Sequence, residues 1–317
     1  MVKLKKIFGI FILVFSIVIP LSVNTALAGD KKLEFVLISP TKMDPLWQEA
    51  RQGMRDAAKM LGVNATFQFG EDDNAKTANF FEAAIASGVD GIGININNPN
   101  SYDKLIEKAL KAGIPVIGFN TDDPEGADGN ARLAFVGQDY FDAGYLVGKA
   151  ISAMNPKPKH VATYAEMPGL TYAVQRYGGV KKALDAAGIS SEIVDCGVES
   201  SASILSRMEA YLHGHPETTH TVPLGSWVAA IATKAIEEMN LQGKVINAGF
   251  DIGDKVIDDL QKGKSAFVID QQVYAQSYYT VIQLFNYITK GVQPFDMNTG
   301  MAIITADQID EYIKYRK

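Results

Sequence analysis

In the stretch KVINAGFDIG, residues 244–253, a short apolar run ends on a polar residue. Its apolar part has the composition of a short buried strand, which ends on a phenylalanine followed by Asp251. An earlier stretch, IPVIGFNTDD at 114–123, ends in the same way on a phenylalanine and then Asn120. Ligands of open parallel sheets bind outside the carboxyl ends of the strands. Asn120 and Asp251 are therefore predicted to lie where two sheets can present polar groups to one ligand.

Around these two stretches, β-rich runs alternate with amphipathic helical stretches from residue 33 onward. LEFVLISP, for example, precedes PLWQEARQGMRDAAKMLG, whose apolar residues share one helical face and which stops at Gly62. Apolar strands that alternate with helices indicate parallel sheets covered on both faces. About ten such strands are more than one compact sheet usually takes, and the alternation restarts near residue 130. The predicted fold class is α/β, with two doubly wound parallel-sheet domains.

The first 28 residues have the features of an export signal. Three lysines lie within the first six residues, a continuous apolar run follows, and ALA at 26–28 offers a cleavage site. A transmembrane anchor is the alternative, since the apolar run nearly reaches spanning length. Pro20 interrupts that run, which favours export with cleavage after Ala28.

Composition and charge exclude several classes of function. The 317 residues are 47% hydrophobic and 21% charged, which is typical of a soluble globular protein. Cleavage removes three lysines and no acidic residue, so the net charge goes from −6 to −9, a poor match for nucleic acid or anionic lipid. Cys196 is the single cysteine, so no internal disulfide is possible. Its neighbours, SEIVDCGV, predict a buried strand residue; a catalytic thiol is the alternative, but no histidine lies nearby in sequence.

A series of motifs covers essentially the whole chain after the signal: DPLW (44–47), GVDGIGININNPN (88–100), AGIPVIGFN (112–120), FVGQDYFDAG (135–144), QRYGGVKKAL (175–184), VINAGFD (245–251) and FVIDQQ (267–272). In content and order they resemble the type I periplasmic solute-binding proteins of ATP-driven importers, in the ribose-binding-like branch for simple sugars. The resemblance implies a periplasmic monomer that takes no cofactor. It also implies a membrane permease, powered by a separate ATPase, as the partner that receives the bound solute.

The same resemblance implies that the chain crosses three times between its two domains. The expected division is a signal peptide at 1–28, an amino-terminal lobe at 31–137 plus 272–300, and a carboxyl-terminal lobe at 138–271 plus 301–317. Segments near 138, 271 and 301 would then form a three-segment hinge.

Carried over position by position, the resemblance implies ten ligand contacts: Ser39, Asp44, Leu46, Trp47, Asn120, Arg176, Glu199, Trp227, Asp251 and Gln271. Some positions depart from the ribose-binding pattern. Ribose binders have Asp-Arg where this chain has Asn120 and Thr121, and Asn-Asp where it has Ser226 and Trp227. These departures argue against ribose itself but leave the binding role in place.

The residue types suit a neutral sugar or polyol. Carboxylates, amides and guanidinium groups each make two hydrogen bonds in one plane, which grips adjacent hydroxyls. The C–H faces of a sugar ring pack well on an aromatic ring. Trp47 and Trp227 are the two tryptophans of the chain, and we predict that they sandwich the ligand across the cleft. The alternative is that both are core residues, because Trp47 shares the apolar face of its helix.

The sequence therefore predicts an exported receptor that captures a monosaccharide or sugar alcohol and delivers it to the permease. One alternative is a receptor that passes a sugar or autoinducer signal to a membrane sensor. Another is an enzyme in which Asp44 and Asp251 act as a glycosidase-like pair, although gripping hydroxyls needs the same residue types. Asp251 could also serve as a helix N-cap.

Other motifs give weaker signals. HGHP at 213–216, with His220 nearby, lacks a third metal ligand of credible spacing, so no metal site is predicted. DDPEGADGN at 122–130 does not follow calcium-loop spacing and is interpreted as a mobile surface loop. GIG at 91–93 is not a dinucleotide fingerprint, and GxxxxGK[ST] does not occur, so ATP binding is not expected. A repressor of the same fold would need a DNA-reading domain where the export signal stands.

Overall fold

A computed structural model describes residues 31–41, 45–98 and 100–314. The predicted signal peptide lies outside the described residues. Within them, twelve strands and ten α-helices follow one another in the alternating order that the sequence predicts.

The strands are β1 (Glu34–Ser39), β2 (Asn64–Phe69), β3 (Gly91–Ile94), β4 (Val116–Asn120), β5 (Ala134–Gly137), β6 (His160–Ala165), β7 (Ser190–Asp195), β8 (Thr218–Pro223), β9 (Ile246–Phe250), β10 (Ser265–Ile269), β11 (Met297–Asn298) and β12 (Ile303–Thr305). The helices are α1 (Pro45–Leu61), α2 (Asn74–Ser87), α3 (Asp103–Lys111), α4 (Tyr140–Ser152), α5 (Thr171–Ala186), α6 (Ser201–Gly214), α7 (Ser226–Glu238), α8 (Asp254–Gln261), α9 (Val273–Lys290) and α10 (Ile309–Ile313).

The strands form two six-stranded sheets. The first sheet has the order β11-β5-β4-β3-β1-β2, and the second has the order β12-β10-β9-β8-β6-β7. All neighbours are parallel except β10 and β12, which pair antiparallel from Phe267↔Thr305 to Ile269↔Ile303. The predicted class, α/β with two doubly wound sheets, is confirmed. β12 is the exception: it is an edge strand of the second sheet and runs opposite to its neighbour β10.

The chain passes from one sheet to the other three times. The first crossing lies between β5 and α4, the second between β10 and α9, and the third between β11 and β12. Helix α4 packs in a core cluster with β6 and β9, whereas α9 packs in a cluster with β1 and β4. The exact lobe boundaries, and the role of these crossings as a hinge, stay predictions.

Each sheet is covered on both faces, which explains its continuous apolar strands. In β4, all five residues are buried. Ile117 and Phe119 pack in one core cluster with residues of α9, while Val116 packs in a separate cluster with residues of α2 and α3. Successive side chains of a strand point to opposite faces, so a strand covered on both sides has no polar alternation.

Two glycines bring α4 and α5 into close contact. A Cβ atom at Gly144 would lie 2.1 Å from the carbonyl oxygen of Arg176. A Cβ atom at Gly179 would lie 2.1 Å from the carbonyl oxygen of Phe141. Any larger side chain would push the helices apart, so these glycines fix the position of α5 and of Arg176, which it carries.

Two further features bear on the sequence predictions. In residues 122–130, Asp123 is buried and its carboxylate accepts a hydrogen bond from the backbone of Glu125, so part of that stretch is packed inside rather than on the surface. No helix among residues 31–314, as far as they are described, combines the length and apolar content that a bilayer crossing requires.

The buried histidine of β8 predicts a pH dependence of stability. His220 is 1% exposed, and burial lowers its pKa to about 4. The unfolded chain binds a proton at this position near pH 6.5, whereas the folded chain does so only near pH 4. Between these values a fall in pH therefore favours the unfolded state, and this histidine alone lowers the free energy of unfolding by about 2 kcal/mol from pH 7 to pH 5.

Urea unfolding of the wild type and of His220→Gln at both pH values measures this contribution. We expect the variant to lose less stability than the wild type on going to pH 5. Equal losses in the two proteins would contradict the prediction, since other titrating groups are common to both.

Candidate ligand-binding cleft

A cavity of about 960 Å³ opens at the carboxyl ends of strands from both sheets. From the first sheet it is lined by the end of β4 and the start of α1, and from the second by residues that follow β6, β8, β9 and β10. Seven of the ten predicted contacts line it: Leu46, Trp47, Asn120, Arg176, Trp227, Asp251 and Gln271. We call this cavity the cleft.

Of the other three predicted contacts, Ser39 and Glu199 do not line the cleft. Ser39 is fully buried, and its hydroxyl accepts a hydrogen bond from Asn95 Nδ2 at 3.1 Å. Glu199 is exposed and forms an ion pair with Arg207 at 2.8 Å. Asp44 lies outside the described residues. The resemblance implied ligand contacts at these positions, but the direction of a side chain depends on packing that the sequence alone does not give.

Asn120 and Asp251 share an unusual backbone conformation. Asn120 ends β4 and has φ 65°, and Asp251 directly follows β9 and has φ 64°. Asn and Asp tolerate this left-handed region better than other residues with a side chain. Each strand therefore ends in a sharp turn that presents a short polar side chain at the edge of its sheet, which accounts for the matching ends of KVINAGFDIG and IPVIGFNTDD.

Asp251 forms a buried two-point ion pair with Arg176. The Nη1–H of Arg176 donates to Asp251 Oδ2 at 3.1 Å, and the Nη2–H donates to Oδ1 at 3.0 Å. The two residues are 1% and 4% exposed. Burial lowers the pKa of the guanidinium, but Asp251 and neighbouring groups outweigh this and raise that pKa, so the guanidinium stays charged.

The remaining contacts of Arg176 hold its guanidinium in one plane. Its Nη1–H also donates to the carbonyl oxygen of Leu224, and its Nη2–H donates to Gln138 Oε1 at 2.8 Å. The rings of Tyr140 and Phe250 lie 4.7 Å and 4.5 Å from the guanidinium carbon. All four Nη–H groups are thus used within the protein, whereas the buried Nε–H has no partner among the described residues.

A chain of amide side chains joins Asp251 to the first sheet. Gln271 Nε2 donates to Asp251 Oδ1 at 2.9 Å, and Gln271 Oε1 accepts from Asn120 Nδ2 at 2.8 Å. Asn120 Oδ1 accepts in turn from Asn95 Nδ2 at 3.2 Å. These planar polar groups extend from one sheet to the other across the floor of the cleft, which gives the cleft acceptors and donors from both sides.

The two tryptophans differ in their surroundings. Trp47 is 4% exposed and packs edge-on against Phe67, Phe69 and Phe119, with ring centroids 6.0 to 6.4 Å apart. Trp227 is 40% exposed, and its Nε1–H donates to Ser201 Oγ at 3.0 Å. Both line the cleft, but Trp47 is also a core residue, so the alternative reading holds for one of the pair. The sandwich of a ligand between the two rings stays a prediction.

Sequence reasoning missed Glu166 and Tyr172, which also line the cleft. The Tyr172 hydroxyl donates to Glu166 Oε2 at 2.8 Å. Burial raises the pKa of Glu166, and the bond from Tyr172 partly opposes this. A signal was available, since Glu166 directly follows β6 as Asp251 directly follows β9.

The histidines of HGHP and the thiol of Cys196 were weighed as a metal site and as a catalytic group. His213 lies in the last turn of α6, and the ring of His215 stacks on that of Tyr211 at 4.2 Å. Among the described residues, no group of three or more His, Cys, Asp or Glu could hold a metal ion. Cys196 is fully buried just after β7, and burial raises the pKa of its thiol to about 12, which leaves little thiolate for catalysis.

Comparisons with known proteins agree with this geometry. Residues 35–291 match a family described as the periplasmic binding protein domain. The xylose/arabinose-binding protein of Sulfolobus acidocaldarius is 28% identical over 294 residues, which cover 88% of this chain and 73% of that protein.

Two solved structures are similar over most of the chain. A carbohydrate transporter from Acidothermus cellulolyticus, in complex with myo-inositol, superposes with a TM-score of 0.82 at 25% identity and covers 90% of this chain and 98% of its own. An ABC transporter periplasmic solute-binding protein from Actinobacillus succinogenes with bound D-allose gives 0.80 at 25% identity and covers 89% and 100%.

Truncation of the two tryptophans should separate their roles. Trp47→Ala removes a ring packed against three phenylalanines and is expected to lower the free energy of unfolding by about 3–5 kcal/mol. Trp227→Ala removes a half-exposed ring and is expected to cost much less. Guanidinium chloride unfolding measures both, and equal losses would contradict the distinction between a core and a cleft tryptophan.

Removal of one partner of the buried ion pair should lower the free energy of unfolding more than removal of both partners. Arg176→Met leaves Asp251 buried without its cation and is expected to cost about 3–5 kcal/mol of unfolding free energy. The double variant Arg176→Met/Asp251→Asn should recover much of that stability, because asparagine tolerates the left-handed backbone and leaves no buried charge. Lys181→Met, which breaks an exposed pair on the same helix, should unfold close to the wild type. A double variant no more stable than Arg176→Met would refute this account.

Proposed function

The chain belongs to the periplasmic binding protein family, and from this premise we propose that it is the substrate-binding component of an ABC importer. It captures a monosaccharide or sugar alcohol in the cleft and delivers it to a membrane permease that a separate ATPase powers. The protein is exported to the periplasm, acts as a monomer and returns its ligand chemically unchanged.

One observation carries this proposal. The cleft presents planar hydrogen-bonding groups from both sheets, Asn120 from the first and Asp251 and Gln271 from the second, beside two aromatic rings. The charge of the Arg176 guanidinium is already balanced by Asp251, so the site holds no unpaired cation from this residue for an anionic ligand. Such a site suits a guest that is uncharged, rich in hydroxyls and apolar on its ring faces.

The comparisons support the same class of ligand. The relatives are described as binding xylose or arabinose, myo-inositol and D-allose, and as carbohydrate or ABC transporters. No observation favours the alternative of a receptor for a membrane sensor. The glycosidase alternative rested on Asp44 and Asp251, and Asp251 is already held by a buried cation.

Capture would proceed by closure of the cleft about the three crossings. An empty cleft exposes its polar groups to water, whereas a bound sugar pairs with them and favours the closed arrangement. We place the hinge near residues 138, 271 and 301, with the lobes at 31–137 plus 272–300 and 138–271 plus 301–317. The closed rim would then be the surface that docks on the permease.

A thermal-shift screen over D-xylose, L-arabinose, D-allose and myo-inositol tests the proposal. A sugar present at a hundred times its Kd stabilises the folded protein by about 2.7 kcal/mol, so its Tm should rise clearly. Isothermal titration should give one site per chain, and mass spectrometry should recover the sugar unchanged. A chemically altered sugar would instead support an enzyme.

Cleft variants make the screen specific to this site. Asp251→Asn is expected to abolish the shift, and Trp227→Ala, which leaves the core untouched, to weaken it. Asp185→Asn on the exposed side of α5 is the control and should respond like the wild type. If neither cleft variant changed the response to a sugar that binds, the ligand would bind elsewhere. If no sugar or polyol bound, the proposed ligand class would be wrong.

A further inference from the structure

Gln138 lies in the first crossing, directly after β5, and is only 1% exposed. It is neither a predicted ligand contact nor part of the cleft lining. A buried glutamine needs partners for both ends of its amide, because an unpaired polar group is costly inside a protein. The identity of those partners gives this residue a role.

The two ends of the Gln138 amide bond to functionally different parts of the molecule. Its Oε1 accepts from Arg176 Nη2 at 2.8 Å, and its Nε2 donates to the carbonyl oxygen of Gly300 at 2.8 Å. Arg176 holds Asp251 in the cleft, whereas Gly300 lies in the third crossing. One side chain therefore connects the cleft to two of the three crossings.

The second crossing is tied to the third next to this contact. Thr299 Oγ1 donates to the carbonyl oxygen of Gln271 at 2.7 Å, and Gln276 Nε2 donates to the same oxygen at 2.9 Å. The backbone is tightly packed here, since a Cβ atom at Gly300 would lie 2.4 Å from the carbonyl oxygen of Asp270 and 3.0 Å from Gln138 Nε2. The crossings thus contact one another through specific bonds and leave little free space.

We propose that Gln138 is a positioning residue that couples the movement of the crossings to the grip of Arg176 and Asp251 on the ligand. This inference rests on the proposed function. Closure about a hinge changes backbone angles in the crossings, and movement of Gly300 relative to Gln138 alters the bond that holds the guanidinium. Through the Gln138 amide, tight binding of the ligand therefore depends on one arrangement of the crossings.

Gln138→Met tests the coupling, and Gln283→Met is its matched control. Gln283 is also a buried glutamine with both amide ends bonded to backbone, the nitrogen and oxygen of Phe295, but it lies on α9 and does not line the cleft. Both variants should lose similar stability in urea. Only Gln138→Met should weaken binding, by roughly tenfold, because it removes a hydrogen bond to a charged group.

Rapid-mixing kinetics by tryptophan fluorescence separate coupling from a structural effect. The probe is whichever sugar of the four-member panel binds the wild type most tightly. We expect the dissociation rate of Gln138→Met to rise roughly tenfold, with an association rate near that of the wild type. Gln138→Glu keeps the acceptor for Arg176 but turns an oxygen toward Gly300, so it should also release the sugar faster.

The outcomes distinguish the two proposals. Wild-type protein that binds none of the sugars would refute the proposed ligand class. Wild-type binding with unchanged rates in Gln138→Met and Gln138→Glu would refute the coupling and leave the proposed function standing. A loss of affinity in Gln283→Met equal to that in Gln138→Met would show that the effect is one of general stability, which also refutes the coupling.

Discussion

The buried pair of Arg176 and Asp251 is the interaction on which the arrangement of the cleft depends. A carboxylate inside a protein must be paired and hydrogen-bonded, or it neutralises. Here the guanidinium supplies both bonds in one plane, and it is held by a backbone carbonyl, by Gln138 and by two aromatic rings. This charge pair fixes the direction of Asp251 and, through Gln271, the polar groups of the opposite sheet.

Close helix packing is what brings Arg176 to this position. Gly144 and Gly179 allow the backbones of α4 and α5 to touch, and in this arrangement the guanidinium of Arg176 reaches Asp251 at the end of β9. The site thus depends on residues that have no functional side chain of their own. The left-handed backbone at Asn120 and Asp251 is a second such requirement, because it turns each strand sharply where its polar group is presented.

The sequence predicted the features that follow from local rules. Alternating apolar runs and amphipathic stretches indicated two doubly wound sheets, and the position of Asn120 and Asp251 at strand ends indicated the edge at which they meet. It failed where side-chain direction decides the outcome. Ser39 points inward and bonds to Asn95, whereas Glu199 points outward and pairs with Arg207. The resemblance had implied a ligand contact at both positions. Glu166 obeys the same strand-end rule as Asp251 and was missed because no motif contained it. The antiparallel β12 was not predicted, because a strand of three residues is too short for hydrophobic periodicity to detect.

The three crossings also constrain how early during its synthesis the polypeptide can fold. The first sheet takes its edge strand β11, and the helix α9 that covers β1 and β4, from a part of the chain more than a hundred residues beyond β5. A ribosome must therefore synthesise almost the whole polypeptide before this half can bury its apolar surface. Until then, the apolar faces of β1 and β4 that α9 covers remain exposed to water.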